Sequence, residues 1–398
     1  MILPETISLE AALELALSSA PCLNSDRVPL HDSPGRILAE DIYADSDLPP
    51  FNKSAVDGFA YRMLAGTGHA PSLRVIGTIP AGSVPALQVG PGECARIMTG
   101  AMIPPGADAV IMVEDTEDAG EGMIRFLKGK TSSNICYQGE DIRKGTVILK
   151  RGICIESPHV AVLASVGATH HRVSCQPMIA VLSTGDELVD PGEKLPNAMI
   201  RDSNRPQLIA QLNRMKLPAT DLGIARDAKE ELSSAILTGL SSHEVVLITG
   251  GISMGIFDYV PEALDHLNAT VLFRSIAIQP GRPTLFARIG DRFVFGLPGN
   301  PVSSFVLFEL LVKPFLYKLM GHSYSPSRTK LPMGTDYARK KAARKSVLPV
   351  SVRQGEIFPV EYHGSAHIHA YTSAAGMICI DPGVTHLKKG ELYDVRWL

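Results

Sequence analysis

The chain has 398 residues, 45% of them apolar, and a formal net charge of −3. That balance offers no basic surface for nucleic acid and no composition suited to a membrane. The length is enough for about two to four domains with separate cores. Six cysteines (Cys22, Cys94, Cys136, Cys154, Cys175 and Cys379) include no C-x-x-C pair, which argues for reduced thiols in a cytoplasmic protein and against a disulfide framework or a structural zinc site.

The amino terminus lacks a basic n-region, so no secretory signal is expected. Ser8 is placed to cap an amphipathic helix with Leu9, Leu13, Ala16 and Leu17 on one face. Pro (29) and Gly (35) then punctuate the chain, most densely across residues 45–50, 77–92 and 100–106. This spacing predicts short β elements. The organisation expected is an amino-terminal domain made of residues 1–44 and 146–176, an inserted strand-rich domain at 45–145, an α/β domain at 177–326 and a compact β domain at 327–398.

Within the third unit, Met178–Leu182, Leu222–Ala225, Val245–Thr249, Val271–Phe273 and Phe293–Gly296 are short apolar runs of buried-strand type, separated mostly by helical patterns. The alternation predicts a three-layer domain around a mostly parallel sheet. Ser203 or Asn204 caps a helix carrying Leu208, Ile209 and Leu212, and Asn300 with Pro301 supplies a cap and a first-turn proline for a helix toward Met320. Glu309, Lys313 and Pro314 exclude that last helix as a membrane span. In the final unit, Val347–Val352, Ile357–Val360, Ala366–Thr372 and Met377–Ile380 read as strands.

Ligands of open α/β sheets bind at the carboxyl ends of the strands. Four loops lie there: Ser183, Thr184, Gly185, Asp186 and Glu187; Arg226 and Asp227; Thr249, Gly250 and Gly251 through Asp258; and Gly296 through Pro298, Gly299, Asn300 and Pro301. Glu187, Asp227 and Asp258 then converge, and three carboxylates in one cleft call for a cation. Mg²⁺ fits, since it takes one or two carboxylates and completes its shell with water and phosphate oxygens. Caps for the following helices are the alternative. The glycines after Thr249 form a nest for phosphate, and Gly299-Asn300 offers a second anion site at a helix start; plain turn geometry is the alternative for each, but two nests on one edge favour ligand binding.

Residues 251–255 also match the G-x-S-x-G elbow, which makes a serine hydrolase using Ser253 a competitor. Against it, Asp291 precedes a strand and His322 lies beyond the last long helix. No P-loop is present, because Ile124 stands where Gly129-Lys130-Thr131 would need a glycine. Arg274 and Arg282 flank residues 276–281 and are suited to an oxyanion. His367 and His369, with His363 nearby, would share a strand face as a weak metal motif. The basic run from Arg339 to Lys345 reads as a solvated loop. Asp57-Gly58 reads as a turn pair.

Taken in order, residues 49–60, 96–101, 139–142, 183–187, 249–253 with Asp258 and Tyr259, and 296–303 closely resemble the molybdopterin molybdenumtransferases, the MoeA and gephyrin E-domain family. The match is collinear over nearly the whole chain. The resemblance implies an elongated four-domain subunit with a molybdopterin-binding α/β domain and a barrel-like carboxyl-terminal domain, in a cytosolic homodimer. It implies insertion of molybdate into adenylyl-molybdopterin with Mg²⁺-dependent release of AMP, and a place beside a molybdopterin adenylyltransferase and recipient molybdoenzymes. By resemblance, Glu187, Asp227 and Asp258 hold metal and pterin nucleotide, Asp57 and Thr99 reach the site from the small domain of the partner, and Ser365 contributes from the β domain. Asn52, Gln279 and Arg282 depart from the family's commoner Asp, Lys and Lys, so charge for molybdate falls to Arg274 and Arg282. Gephyrin's role as a scaffold keeps a pterin-binding carrier without turnover as an alternative, and the α/β domain alone resembles the adenylylating enzyme.

Overall fold

The computed structural model describes residues 6–63, 72–127, 132–252 and 259–398. Its centre is a six-stranded sheet in the spatial order Ala219–Ala225, Ile179–Thr184, Val245–Thr249, Arg292–Leu297, Pro283–Ile289 and Thr270–Ser275. Only Pro283–Ile289 runs against the other five. Successive side chains of a strand face opposite sides. Ile179, Val181, Val245, Leu247, Phe293 and Phe295 accordingly pack into one core, and Ala180, Leu182, Val246, Ile248 and Val294 into another. Helices Asn204–Arg214 and Pro301–Leu307 cover the first face, and Lys229–Ser242 with Val260–His266 the second.

The Pro283–Ile289 strand is absent from the sequence expectation, because Pro283, Thr284 and Arg288 break its apolar run. Its Phe286 stacks on Phe295 at 4.4 Å between ring centroids and meets the edge of Phe315 at 5.4 Å. Burying each such ring contributes roughly 1.5–3 kcal/mol. The helix after Asn300 is also less regular than expected. It runs Pro301–Leu307, widens to a π turn at Phe308–Val312 and resumes at Lys313–Leu319. Pro314 has no N–H for the carbonyl one turn back, and the wider register absorbs that loss.

Ser8 does cap its helix: Ser8 Oγ accepts from Ala11 N–H at 3.1 Å. The buried face of Leu9–Ser19 is Ala12 and Ala16, which let the helix sit close against the central domain, whereas Leu17 lines an open groove with Leu13 and Lys318. Strands before and after the small domain return to each other, Ser25–Pro29 to His170–Ser174 and Ile42–Tyr43 to Val147–Leu149. Between them lies a second six-stranded sheet, in which Gly58–Tyr61 is central between Ala109–Met112 and Glu93–Ile97. Gly58 therefore starts a strand rather than a turn. A Cβ there would lie 1.9 Å from Ile111 O, so the strands approach as they do only because it is glycine.

The carboxyl-terminal sheet joins Ile278–Gln279, Lys345–Arg353, Gly376–Ile380, Leu392–Trp397 and Arg328–Pro332, with Glu356–Pro359 on the flank of Lys345–Arg353. A bridge from Met333 to Ile357 brings its edges together, which makes the unit barrel-like. Ala366–Thr372 is not a strand. Ile368–Thr372 is a 3₁₀ turn, so His367 and His369 share no strand face; instead the rings of His363 and His367 stack at 5.1 Å. All six cysteines are unpaired. Among the described residues no helix is long and apolar enough to cross a membrane.

Candidate active site at the carboxyl edge of the central sheet

Parallel neighbours Ile179–Thr184 and Ala219–Ala225 end side by side, and their loops are cross-linked. Thr184 Oγ1 donates to Asp227 Oδ1 at 2.7 Å, Asp186 N–H donates to Asp227 Oδ2 at 3.3 Å, and Asp227 N–H reaches Asp186 Oδ1 at 3.4 Å. Thr184 is buried and Asp227 half-buried, while Asp186 and Glu187 are exposed. Gly185 has φ +152°, and a Cβ on it would lie 2.7 Å from Glu187 Oε2. The Glu187 carboxylate thus folds back over its own loop. Arg226 Nη1 donates to Asp186 O at 3.3 Å but reaches the Asp186 carboxylate only at 4.0 Å on the surface, an ion pairing worth little. The corner presents oxygen acceptors of the kind that suit a hard cation.

The next two strands end at Thr249 and Leu297. Gly250, at φ +98°, passes so close to the first loop that a Cβ would stand 2.3 Å from Thr184 O. Its N–H is committed to Leu297 O at 3.0 Å, which removes it from the phosphate nest expected after Thr249. The N–H groups of Gly251, Gly299 and Asn300 donate to no described residue. The start of the following helix is also partly closed, because Val302 N–H donates to Ser365 O at 3.0 Å. That bond places Ser365 beside Asn300. The Asn300 side chain caps nothing; the backbone carbonyl of Asn300 accepts from the Ser303 and Ser304 N–H groups. Anion-binding capacity at this edge therefore rests on fewer amides than the glycine count implies.

Other expected residues lie elsewhere. Arg274 sits at the same edge on the outermost strand and Arg282 just before its antiparallel neighbour, and Arg274 pairs with Asp265 at 3.1 Å. Gln279 belongs to the carboxyl-terminal sheet. Asp57 and Thr99 are exposed on the small domain and clasp each other: Thr99 N–H and Oγ1 donate to Asp57 Oδ1 at 2.7 and 2.9 Å. Those two bonds hold the Asp57 carboxyl below its usual range. Ser253 and Asp258 lie outside the described residues, so neither the elbow nor the third carboxylate is placed. Among the described residues no three His, Cys, Asp or Glu gather as a metal site. The partners a Ser253 hydrolase would need are misplaced. Asp291 lies in the hairpin at the opposite edge of the sheet, and His322 Nδ1 is 2.7 Å from Gly152 O.

Sequence reasoning missed the support beneath the cleft. Asp202, not Ser203 or Asn204, caps the Asn204–Arg214 helix: its Oδ1 accepts from Asn204 N–H at 3.1 Å and Arg205 N–H at 3.2 Å. Arg205 is buried and bonds Asp202 Oδ2 at 3.0 Å, Asp221 Oδ1 at 2.5 Å, and Asp190. Burial works against its charge, but the bonds to Asp190 and Asp221 outweigh that and hold the guanidinium above its usual range. Asn204 Nδ2 donates to Thr249 Oγ1 and to Gly299 O, both at 2.7 Å. The available signal was a cap-type residue at a helix facing the carboxyl edge, but a polar side chain there reads first as a cap.

Three family models match the chain in order: the MoeA N-terminal region (domains I and II) over residues 7–167, a probable molybdopterin binding domain over 180–318, and the MoeA C-terminal region (domain IV) over 330–398. The molybdopterin molybdenumtransferase of Staphylococcus epidermidis is 35% identical over 397 residues, covering 98% of this chain and 95% of that protein. Its namesake in Staphylococcus aureus is 34% identical over 400 residues with the same coverage. Two crystal structures of molybdopterin biosynthesis MoeA proteins from Pyrococcus horikoshii are similar throughout. One is 34% identical with a TM-score of 0.80, covering 98% of this chain and 99% of that one. The other is 27% identical with a TM-score of 0.86, covering 99% and 100%.

Proposed function

Because this chain belongs to the MoeA family, we propose that it is a molybdopterin molybdenumtransferase that inserts molybdate into the dithiolene of adenylyl-molybdopterin and releases AMP. The observation that carries this reading is the junction of loops at one sheet edge. The Thr184–Asp227 clasp, the uncommitted amides of Gly251, Gly299 and Asn300, and Ser365 come together there. Acceptor oxygens beside amide donors suit a phosphoanhydride carried with a cation.

Mg²⁺ fits the donor set. Glu187 and Asp227 offer hard oxygen ligands, and Asp227 Oδ2 is engaged only by a 3.3 Å contact; Asp258 joins them by family resemblance. When bound, Mg²⁺ would polarise the phosphate oxygens as a Lewis acid. The chain's own residues orient the rest. Thr184 Oγ1 fixes the Asp227 carboxylate, and the amides of Gly251, Gly299 and Asn300 face the charge that builds on phosphate as an oxygen of water or molybdate attacks and AMP leaves. Arg274, on the outermost strand, and Arg282, just before its antiparallel neighbour, are assigned to molybdate. Ser183, Asp186, Thr249, Gly250 and Pro298 shape the loops around the nucleotide. Asp57 and Thr99, exposed on the small domain, are assigned to the site of the other subunit in a cytoplasmic homodimer, and the adenylyltransferase and recipient molybdoenzymes to transient contacts.

The test is AMP release from adenylyl-molybdopterin, with and without Mg²⁺ and molybdate, followed by activation of an apo molybdoenzyme. The expected outcome is AMP release that stops on chelation by EDTA and returns with Mg²⁺, together with reconstituted activity. Tight binding without turnover would replace the transferase by a carrier, and no binding would overturn the reading.

A further inference from the structure

We propose that Asn204 is a positioning residue which sets the gap between the two amide-bearing loops of the cleft. The residue is only 8% exposed. Its Nδ2 donates to Thr249 Oγ1 and Gly299 O at 2.7 Å each. Gly299 O can only accept, which settles the orientation of the amide. Thr249 ends one central strand and Gly299 follows its parallel neighbour, so a single primary amide ties two adjacent loops from below. The remaining links across this gap are Gly250 N–H to Leu297 O at 3.0 Å and a long contact from Thr249 Oγ1 to Pro298 O at 3.4 Å.

The amide itself is held from behind. Asp202 fixes the backbone of Asn204 and Arg205, and the Arg205 guanidinium ties that helix start to Asp190 and to Asp221 on the edge strand. Asn204 Oδ1 is buried and has no partner among the described residues, and neither has the hydroxyl of Ser183, which lies opposite Thr249 in the strand pairing. Among the described residues, the side-chain amide bonds through its donor side alone. A hydrocarbon of the same size would satisfy the helix and release both loops. Given the transferase reading, the amides of Gly251, Gly299 and Asn300 owe their common spacing around the phosphate to this one group.

Two variants test this in the full-length protein. Asn204→Ala removes both donations, and the near-isosteric Thr249→Val removes one acceptor and leaves Gly299 O bonded. Hydrogen exchange is read first, on ligand-free protein. Asn204→Ala is expected to raise exchange by about tenfold at the bonded amides of the two loops, Gly250 with the end of its strand at 247–249 on one side and Val302, Ser303 and Ser304 on the other, with other segments unchanged. Thr249→Val is expected to loosen 247–252 alone. Steady-state AMP release is read second, where Asn204→Ala lowers kcat about tenfold or more with KM within about threefold. Asn204→Asp, which sets an acceptor against Gly299 O, is expected to do no better than alanine. Unchanged exchange in both loops, a rise spread evenly over the chain, or full kcat in Asn204→Asp overturns the proposal. Wild-type protein that releases no AMP while the exchange pattern holds counts against the transferase reading and leaves the role of Asn204 standing.

Discussion

At the carboxyl edge of the central sheet, Asn204, Thr249 and Thr184 are buried polar side chains bonded across loops that lie far apart in sequence. On the small domain, the Asp57 carboxylate and Thr99 make equally short bonds in open solvent, and among the described residues the two side chains bond only within this pair. The first arrangement forms the floor of a cleft: its groups hold one another and leave the amides of Gly251, Gly299 and Asn300 unbonded among the described residues. The second is a surface prong that gains nothing from its own fold beyond the clasp. Buried polar groups must be matched inside the chain, whereas exposed ones can wait for another surface. The contrast separates residues that build a site from residues that complete one.

Glycine substitutions test the two regions most severely. Gly58→Ala forces a Cβ to 1.9 Å from Ile111 O between two paired strands, and Gly250→Ala brings one to 2.3 Å from Thr184 O at a positive φ. Each is expected to cost about 3 kcal/mol or more, since backbone has to move in both. Thermal unfolding and activity together distinguish them. Gly58→Ala lowers the melting of the small domain, and Gly250→Ala abolishes AMP release while the small-domain transition stays in place. Equal effects on both readouts would erase the distinction between floor and prong.

Next in size is the loss of one carboxylate. Asp227→Ala leaves Thr184 Oγ1 without its acceptor, which costs about 1–3 kcal/mol of stability, and it is expected to lower AMP release at least ~100-fold if the residue holds metal or phosphate. Asp57→Ala lowers activity with stability nearly unchanged. The sharpest form of the comparison mixes the two. If Asp57 completes the partner's cleft, coexpressed Asp57→Ala and Asp227→Ala chains regain about a quarter of wild-type activity, because half the dimers are mixed and one of their two sites is whole. A site built within a single chain regains none.

The same contrast marks what could be read in advance. Strands such as Val245–Thr249 announced themselves by unbroken apolar runs, and their common direction placed Ser183, Asp227, Thr249 and Gly299 on one edge before any coordinates. Pro283–Ile289 was missed because a strand interrupted by Thr284 and Arg288 carries no such run. Asn204, Asp202 and Arg205 were missed for another reason. Their role depends on which loops the helix start faces, a tertiary fact that no local pattern encodes, and the nearest local rule assigns a cap. Asp57 and Thr99 sit at the far end of this scale. Nothing in their surroundings gave them work, and only the likeness to a family suggested any. Gly250 shows the converse error: a glycine-rich stretch suggested an open nest, but one of its amides is spent within the sheet.

The smallest expected effect concerns protons at the prong. Thr99 N–H and Oγ1 both donate to Asp57 Oδ1, and the folded carboxyl is held below its usual range for that reason. A depressed carboxyl contributes stability above its unfolded pKa and loses it as pH falls through the folded value. The clasp is therefore intact at neutral pH and opens only on the acid side of the ordinary carboxylate range. Thr99→Val keeps the backbone donor and removes the hydroxyl, so the Asp57 titration, followed by carboxyl NMR, is expected to move up toward the ordinary value without reaching it. The backbone amide of the substituted residue should still report the same transition. An unmoved titration would mean that the hydroxyl bond is not made in solution, and the shape of the prong would then rest on the backbone donation from Thr99 to Asp57.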